Sequence, residues 1–234
     1  MHTLICFALK EEAAPFHKIA GGLLRSHHIS ILLTGIGRQN AEKSLREFLN
    51  SCRSRGNETQ IKNESETPDV VSYEPNLVLT CGFAGGLNPD LKLGEVVFEL
   101  STHNAQLSTR LLATGAKPAT FFCADHIATT VAEKKKLRAE TGADAVEMES
   151  AAIHAVCRER GILCATVRVI SDTVNEDLPL DFNALSKPDK NLDYGKLFLA
   201  IAKSPGKIPA LMQLQKKTKF AAEQLAAVLE KIIQ

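Results

Sequence analysis

Six short apolar runs set the tightest limit on what this chain can fold into: Thr3 to Leu9, Ile29 to Thr34, Leu77 to Cys81, Glu95 to Leu100, Thr120 to Cys123 and Leu163 to Ile170. They are continuous rather than alternating, which is the pattern of strands covered on both faces. Helical spacing lies between and after them, in Ala41, Leu45, Phe48 and Leu49, and in Ala152, Ile153, Val156 and Cys157, with Gly161 as a C-terminal cap. Strand and helix alternate, so the expected fold class is α/β, a three-layer αβα sandwich around a mixed, largely parallel sheet. Leu225, Val228, Leu229 and Ile232 share one face of a closing helix predicted over 216–234.

With 234 residues, 44% of them apolar, the chain can bury one substantial core, and residues 1–234 read as a single domain. Two stretches break the regularity. Ser51 to Pro75 is rich in Asn, Ser, Glu, Thr and Lys, and is expected to form a polar surface loop at about 51–75. Asn175 to Asp193 combines acids, prolines and isolated apolar residues directly after a strand, the character of a flap over a site.

The charge balance excludes whole classes of partner. Lys and Arg number 28 against 27 Asp and Glu, a formal net charge of +1, so there is no extended field to hold nucleic acid or an anionic membrane. The apolar start is too short for a secretory segment. Nothing later reaches the roughly 18 unbroken apolar residues of a membrane span. A cytoplasmic location is the expectation. The six cysteines stand singly without a CxxC pair and read as reduced, mostly buried thiols. His154 and Cys157 are one helical turn apart, but no second ligand pair follows, so no metal is expected.

In an open α/β sheet ligands bind beyond the carboxyl ends of the strands, so the polar residues after each apolar run carry the interest. Glu11 and Glu12 follow the first run, where acids also suit a helix N-terminus. Gly82 to Gly86 can bring backbone close to a ligand or simply make a tight turn. Gly35 and Gly37 in TGIG give half of a dinucleotide fingerprint; Asn40 replaces its third glycine, and no nicotinamide cofactor is expected. Glu147 and Glu149 share one face if extended, with Met148 opposite, although Glu149 can equally open the helix of SAAIHAV. Ser171 and Asp172 end the run CATVRVI, where they can act in a site or only turn the chain.

Taken together, ALKEE, TGIG, GFAGGL, AVEMESAAIHAVC and VRVISD stand in the order and approximate spacing of the purine nucleoside phosphorylase and nucleosidase superfamily. The chain resembles that family from residue 3 to about 177. Within it the pattern is most similar to the nucleosidases of 5′-methylthioadenosine and S-adenosylhomocysteine, which serve methionine salvage. ADHIATTVAEKKKLRAETGADAVEMES and SPGKIPALMQLQKKT look more like the hopanoid-associated phosphorylase branch.

The resemblance implies an N-glycosidase that releases adenine from a 5′-substituted adenosine-type nucleoside. Asp172 would be the general acid at purine N7, with Ser171 holding it, its carboxyl kept protonated by burial or carboxylate neighbours. Glu12 would activate the attacking water and Glu149 would accept from the ribose hydroxyls. Met148 would pack on the sugar, Ala84 and Gly85 would approach the base or nucleophile, and Ile127 would lie against the base; Phe83 and Glu147 complete the candidate set. No metal or organic cofactor is implied. The partner is a small-molecule purine nucleoside, and relatives imply a homo-oligomer, a dimer first. Related phosphorylases carry an arginine where this chain has Thr80, which favours water over phosphate. Phe83, where the nucleosidases usually have serine, and Ile127 or His126, where an aromatic stacks on the base, depart from the pattern. Phosphorolysis, adenosylhopane processing and a non-catalytic nucleoside-binding module remain the alternatives.

Overall fold

The computed structural model describes residues 2–20, 28–62, 74–101, 104–185, 196, 199 and 204–233, with the backbone alone for 53–62. Its strands are β1 (Thr3–Phe7), β2 (Ile29–Leu33), β3 (Leu77–Gly86), β4 (Val96–Leu100), β5 (Lys117–Pro118), β6 (Phe121–Cys123), β7 (Ala145–Glu147) and β8 (Leu163–Asp172). Helices α1 (Lys10–Ala20), α2 (Arg38–Lys62), α3 (Ala105–Ala113), α4 (Val131–Thr141), α5 (Ser150–Arg160) and α6 (Ile208–Ile233) surround them.

One eight-stranded sheet runs in the order β2-β1-β3-β8-β4-β5, with β7 pairing both β3 and β6. The β2, β1, β3 and β8 pairings are parallel; β4 on β8 and β7 on β3 are antiparallel. This is the mixed, largely parallel α/β sheet expected. Alternate residues of each central strand feed opposite layers, because successive side chains leave a strand on opposite faces. Ile5, Phe7, Leu79 and Val167 pack under α1 and α6, with Phe16, Leu225 and Leu229. Leu4, Cys6, Val78 and Cys164 pack under α2 and α5, with Leu45, Leu49, Ile153 and Val156. Both faces are covered, so the runs are continuous.

Three expectations need correction. The stretch expected as a polar loop at about 51–75 is helical as far as Lys62, and 63–73 lies outside the described residues. No proline interrupts this stretch before Pro68, and a helix already nucleated on the sheet extends cheaply through polar sequence. Gly82 to Gly86 forms no loop: it is the last half of β3, paired with β8 on one side and β7 on the other. Flanking strands supply hydrogen bonds on both sides, which outweighs the glycines' weak strand propensity. The closing helix begins at Ile208, ahead of the expected Lys216, after a 3₁₀ turn over Pro205–Lys207.

Among the described residues no helix is long and apolar enough to cross a membrane. The cysteines are all free. No cluster of His, Cys, Asp and Glu among those residues could hold a metal; His154 instead pairs with the Thr166 hydroxyl at 2.9 Å.

Candidate active site

The carboxyl ends of β1, β3 and β8 open on one cavity of about 340 Å³. Glu12, Phe83, Ala84, Gly85, Met148 and Glu149 border it, as do Ile127, Glu147, Ser171 and Asp172, so the whole candidate set drawn from the sequence meets in one place. Ile36, Leu178, Phe182 and Leu214 supply an apolar wall.

Glu12 sits in the first turn of α1 and is 4% exposed. Its Oε2 accepts from the Leu9 N–H at 2.9 Å and its Oε1 from the Phe83 N–H at 2.8 Å. The backbone of residue 83 therefore performs the contact, whatever its side chain, and the Phe83 ring packs against the core beneath. Burial pushes the Glu12 carboxyl up to about 7; nearby Arg168 and the two N–H groups oppose this, and Glu149 adds to it. Such a group exchanges protons near neutrality, as a general base should.

Gly82 makes room for this arrangement. Its φ is +146°, and a Cβ there would come within 2.6 Å of Glu12 Oε1 and 2.7 Å of an Arg168 nitrogen. Both the backbone conformation and the collision argue against any side chain. Gly82→Ala is expected to displace the Glu12 and Arg168 side chains and to destabilise the fold by about 1–3 kcal/mol, read by denaturant melts; unchanged stability would contradict the close approach.

Arg168 was not singled out from the sequence, yet it organises the acids. It is 1% exposed on β8, and its guanidinium reaches Glu147 Oε2 at 2.7 Å, Glu149 Oε2 at 3.1 Å and the Thr80 hydroxyl at 3.2 Å. Burial opposes its charge, but Glu147, Glu149 and Glu12 outweigh that and hold it protonated. The signal was a lone charge inside the run CATVRVI, which no lysine or arginine enters without a buried partner.

The two glutamates of the VEMES motif do different work. Burial disfavours charge on Glu147, but Arg168, the Ser150 hydroxyl and the Glu149 and Ser150 N–H groups outweigh it and hold the carboxyl below the usual range. That carboxylate caps the N-terminus of α5: Ser150 N at 2.8 Å, Ser150 Oγ at 2.6 Å and Glu149 N at 2.9 Å. With its side chain fully buried and its oxygens engaged, Glu147 borders the cavity as a framework residue rather than as a ligand contact. Glu149 caps no helix with its side chain. Its Oε1 accepts from the Gly37 N–H at 2.8 Å, and burial, partly offset by Arg168, raises its pKa. TGIG is thus the turn after β2 that presents an N–H to Glu149, with Gly37 at φ +88°.

Ser171 and Asp172 are neighbours, which on a regular strand would face opposite sides. Here the register of β8 slips between Ala84 and Gly85, so that Ile170 faces Ala84 and Asp172 faces Gly85. A bulge of this kind re-aims side chains. Both residues consequently reach the cavity, with Ser171 Oγ 2.7 Å from Asp172 Oδ1. Of the two surroundings expected for Asp172, burial or a carboxylate neighbour, the structure has the first, with the residue 7% exposed; the group bonded to its Oδ2 is an ammonium, Lys134 Nζ at 2.5 Å. The flap expected over 175–193 is described as far as residue 185, and 186–193 lies outside the described residues. Its described part is tied down over the cavity. Asn183 makes paired bonds to the Ile127 backbone at 2.8 Å. The Leu178 N–H donates to Thr129 O, also at 2.8 Å.

Three comparisons bear on this site. Residues 104–191 match the family model of the phosphorylase superfamily. The chain is 31% identical to the 5′-methylthioadenosine/S-adenosylhomocysteine nucleosidase of Actinobacillus succinogenes over 145 residues, 48% of this chain and 63% of that protein. To the nucleosidase of the same name from Shewanella oneidensis it is 27% identical over 148 residues, 49% of this chain and 63% of the relative. The chain thus spans under two thirds of the length of these relatives. Among solved structures, the Helicobacter pylori 5′-methylthioadenosine/S-adenosylhomocysteine nucleosidase holding 5′-methylthioadenosine superposes with a TM-score of 0.66 at 17% identity, covering 99% of this chain and 97% of that one. Futalosine hydrolase of the same organism gives 0.63 at 18% identity, covering 100% and 97%. The fold is shared throughout, and the match to the phosphorylase superfamily covers residues 104–191, where AVEMESAAIHAVC and VRVISD lie.

Proposed function

We propose that this chain, which matches the phosphorylase-superfamily model over residues 104–191 and shares its fold with known nucleosidases, cleaves the N-glycosidic bond of a purine nucleoside with water. The observation that carries the reading is the convergence of Glu12, Glu149 and Asp172 on one cavity. Glycosidic cleavage passes through an oxocarbenium-like state, and the base leaves far more readily as a neutral molecule than as an anion. Asp172 passes a proton to the purine nitrogen, with Ser171 fixing its carboxyl. Glu149 accepts from the ribose hydroxyls, and its charge favours the positive sugar. Glu12 takes the proton of the water that attacks the anomeric carbon.

The charges around the cavity support water over phosphate. Glu12, Glu149 and Asp172 border it, while Arg168 and Lys134 are both buried and already paired with these acids. An incoming phosphate would meet three carboxyl groups and, among the described residues bordering the cavity, no lysine or arginine free to receive it. Thr80 directs its hydroxyl to Arg168 and brings no charge of its own. The apolar wall of Leu178, Phe182 and Leu214 supports a 5′ substituent of apolar character; a long hydrocarbon substituent, as on adenosylhopane, is the second reading that this wall favours. A homodimer in solution is part of the proposal and is read by light scattering.

The test is base release from adenosine, 5′-methylthioadenosine, S-adenosylhomocysteine and futalosine, each with and without phosphate. Free base and free sugar without phosphate are the expected products. A requirement for phosphate, with ribose 1-phosphate formed, would transfer the chain to the phosphorylases. Binding without turnover of any of them would leave a nucleoside-binding module. Because Glu12 must be ionised and sits at about 7, kcat/KM is expected to fall about tenfold per pH unit below pH 7. A profile flat down to pH 5 would remove Glu12 from the role of base.

A further inference from the structure

Lys134 is 0% exposed, and its ammonium has three acceptors for three protons: Asp172 Oδ2 at 2.5 Å, Thr173 O at 2.9 Å and Glu176 O at 2.8 Å. Two of these are backbone carbonyls of the turn that follows β8, so the side chain also ties that turn to α4. Two groups hold the Asp172 carboxyl, Lys134 on one oxygen and the Ser171 hydroxyl on the other. The group that must protonate a departing base is therefore held by an ammonium, and no second carboxyl among the described residues is bonded to it.

We propose that Lys134 is the positioning residue that supplies the proton Asp172 delivers; this rests on the glycosidase reading above. As the glycosidic bond breaks, its electron pair goes to the base. The base nitrogen takes a proton from the Asp172 carboxyl, and Lys134 Nζ gives one to that carboxyl and becomes a neutral amine. Water adds to the anomeric carbon, and its proton goes to Glu12. When the products leave, the proton on Glu12 is lost to solvent, and Lys134 is recharged through Asp172, the member of the pair that meets the cavity. Atoms and charge balance over the cycle.

Among the described residues, the titrating groups around the pair have partners of their own. Glu176, near by in sequence, gives its carboxylate to Lys217 of α6 at 2.7 Å. Glu133 on α4 is bonded to His126 at 2.7 Å. Glu147 and Glu149 across the cavity are tied to Arg168, and Glu12 of α1 to backbone N–H groups. A carboxylate paired with an ammonium has a proton within reach for as long as the amine keeps it, and amines keep protons to far higher pH than carboxyls do.

The test compares Lys134→Arg and Lys134→Met with the unaltered protein, reading kcat and KM for base release across pH 5 to 10. Arginine keeps the charge and the hydrogen bonds but does not give up its proton. Both variants are expected to lose about 100-fold in kcat with little change in KM, and the alkaline limb of kcat is expected to move down by about one pH unit or more. If Lys134→Met does not fold, Lys134→Arg alone decides. An arginine variant with normal kcat, or a fall in kcat with an unmoved alkaline limb, would reduce Lys134 to a structural cation and overturn the inference. Absence of base release by the unaltered protein would strike the glycosidase reading itself; normal release with indifferent Lys134 variants would strike only this one.

Discussion

Asp172→Asn is expected to lower kcat about 1,000-fold or more while KM changes little, because proton transfer to a leaving group is worth about 10²–10⁴. Asparagine has nearly the same shape, and its amide oxygen can still accept from the Lys134 ammonium that now meets Oδ2 at 2.5 Å. What it lacks is an acidic proton. The fold is expected to persist, since Lys134 keeps the Thr173 and Glu176 carbonyls as acceptors. Steady-state kinetics beside a thermal melt separate the two effects. An Asn variant with near-normal turnover would take Asp172 out of the mechanism.

Glu12→Gln is the second large effect, with an expected loss of about 100- to 10,000-fold in kcat/KM and disappearance of the fall below pH 7. Its stability should move the other way. Glu12 binds its proton at about 7 in the folded chain, against an ordinary value of 4.5. The native state therefore holds the proton more tightly than the unfolded chain, and stability falls as pH rises from about 4.5 to about 7. Ionising this buried carboxyl costs about 3 kcal/mol. Glutamine never ionises, although its amide nitrogen cannot replace the oxygen that accepts from Leu9 or Phe83. At pH 8 the variant is expected to be inactive yet at least as stable as the parent. A variant that is both inactive and strongly destabilised at that pH would point to a framework role for Glu12.

Much of this was legible in the sequence. The apolar runs mark the central strands because helices on both sides demand residues that can face either layer. Glu12 and Glu149 follow a strand and Asp172 ends one, which sets all three near the carboxyl ends of strands, where the crevice lies, and their motifs gave a resemblance. The less legible parts share a cause: they depend on distant residues. Nothing local distinguishes Lys134 from Lys135 and Lys136 in AEKKK, yet only the first is buried against Asp172. Arg168 is an anomaly in a strand until Glu147 and Glu149 are placed beside it. Gly82 to Gly86 reads as a turn because β7 and β8, the strands that hold it extended, lie far along the chain. The slip that brings both Ser171 and Asp172 to the cavity is a property of two strands in register, and neither strand carries it alone. Phe83 departs from the family pattern in its side chain, whereas the bond to Glu12 is made by its backbone N–H.

Hydrolysis requires that water, and not another nucleophile, ends up on the sugar. Cleavage of 5′-methylthioadenosine in ¹⁸O-labelled water, followed by mass spectrometry of both products, reads that directly. One labelled oxygen on the anomeric carbon of the released sugar, none on the base and no dependence on phosphate are the expected result. A sugar without label, or one that carries phosphate, would contradict it.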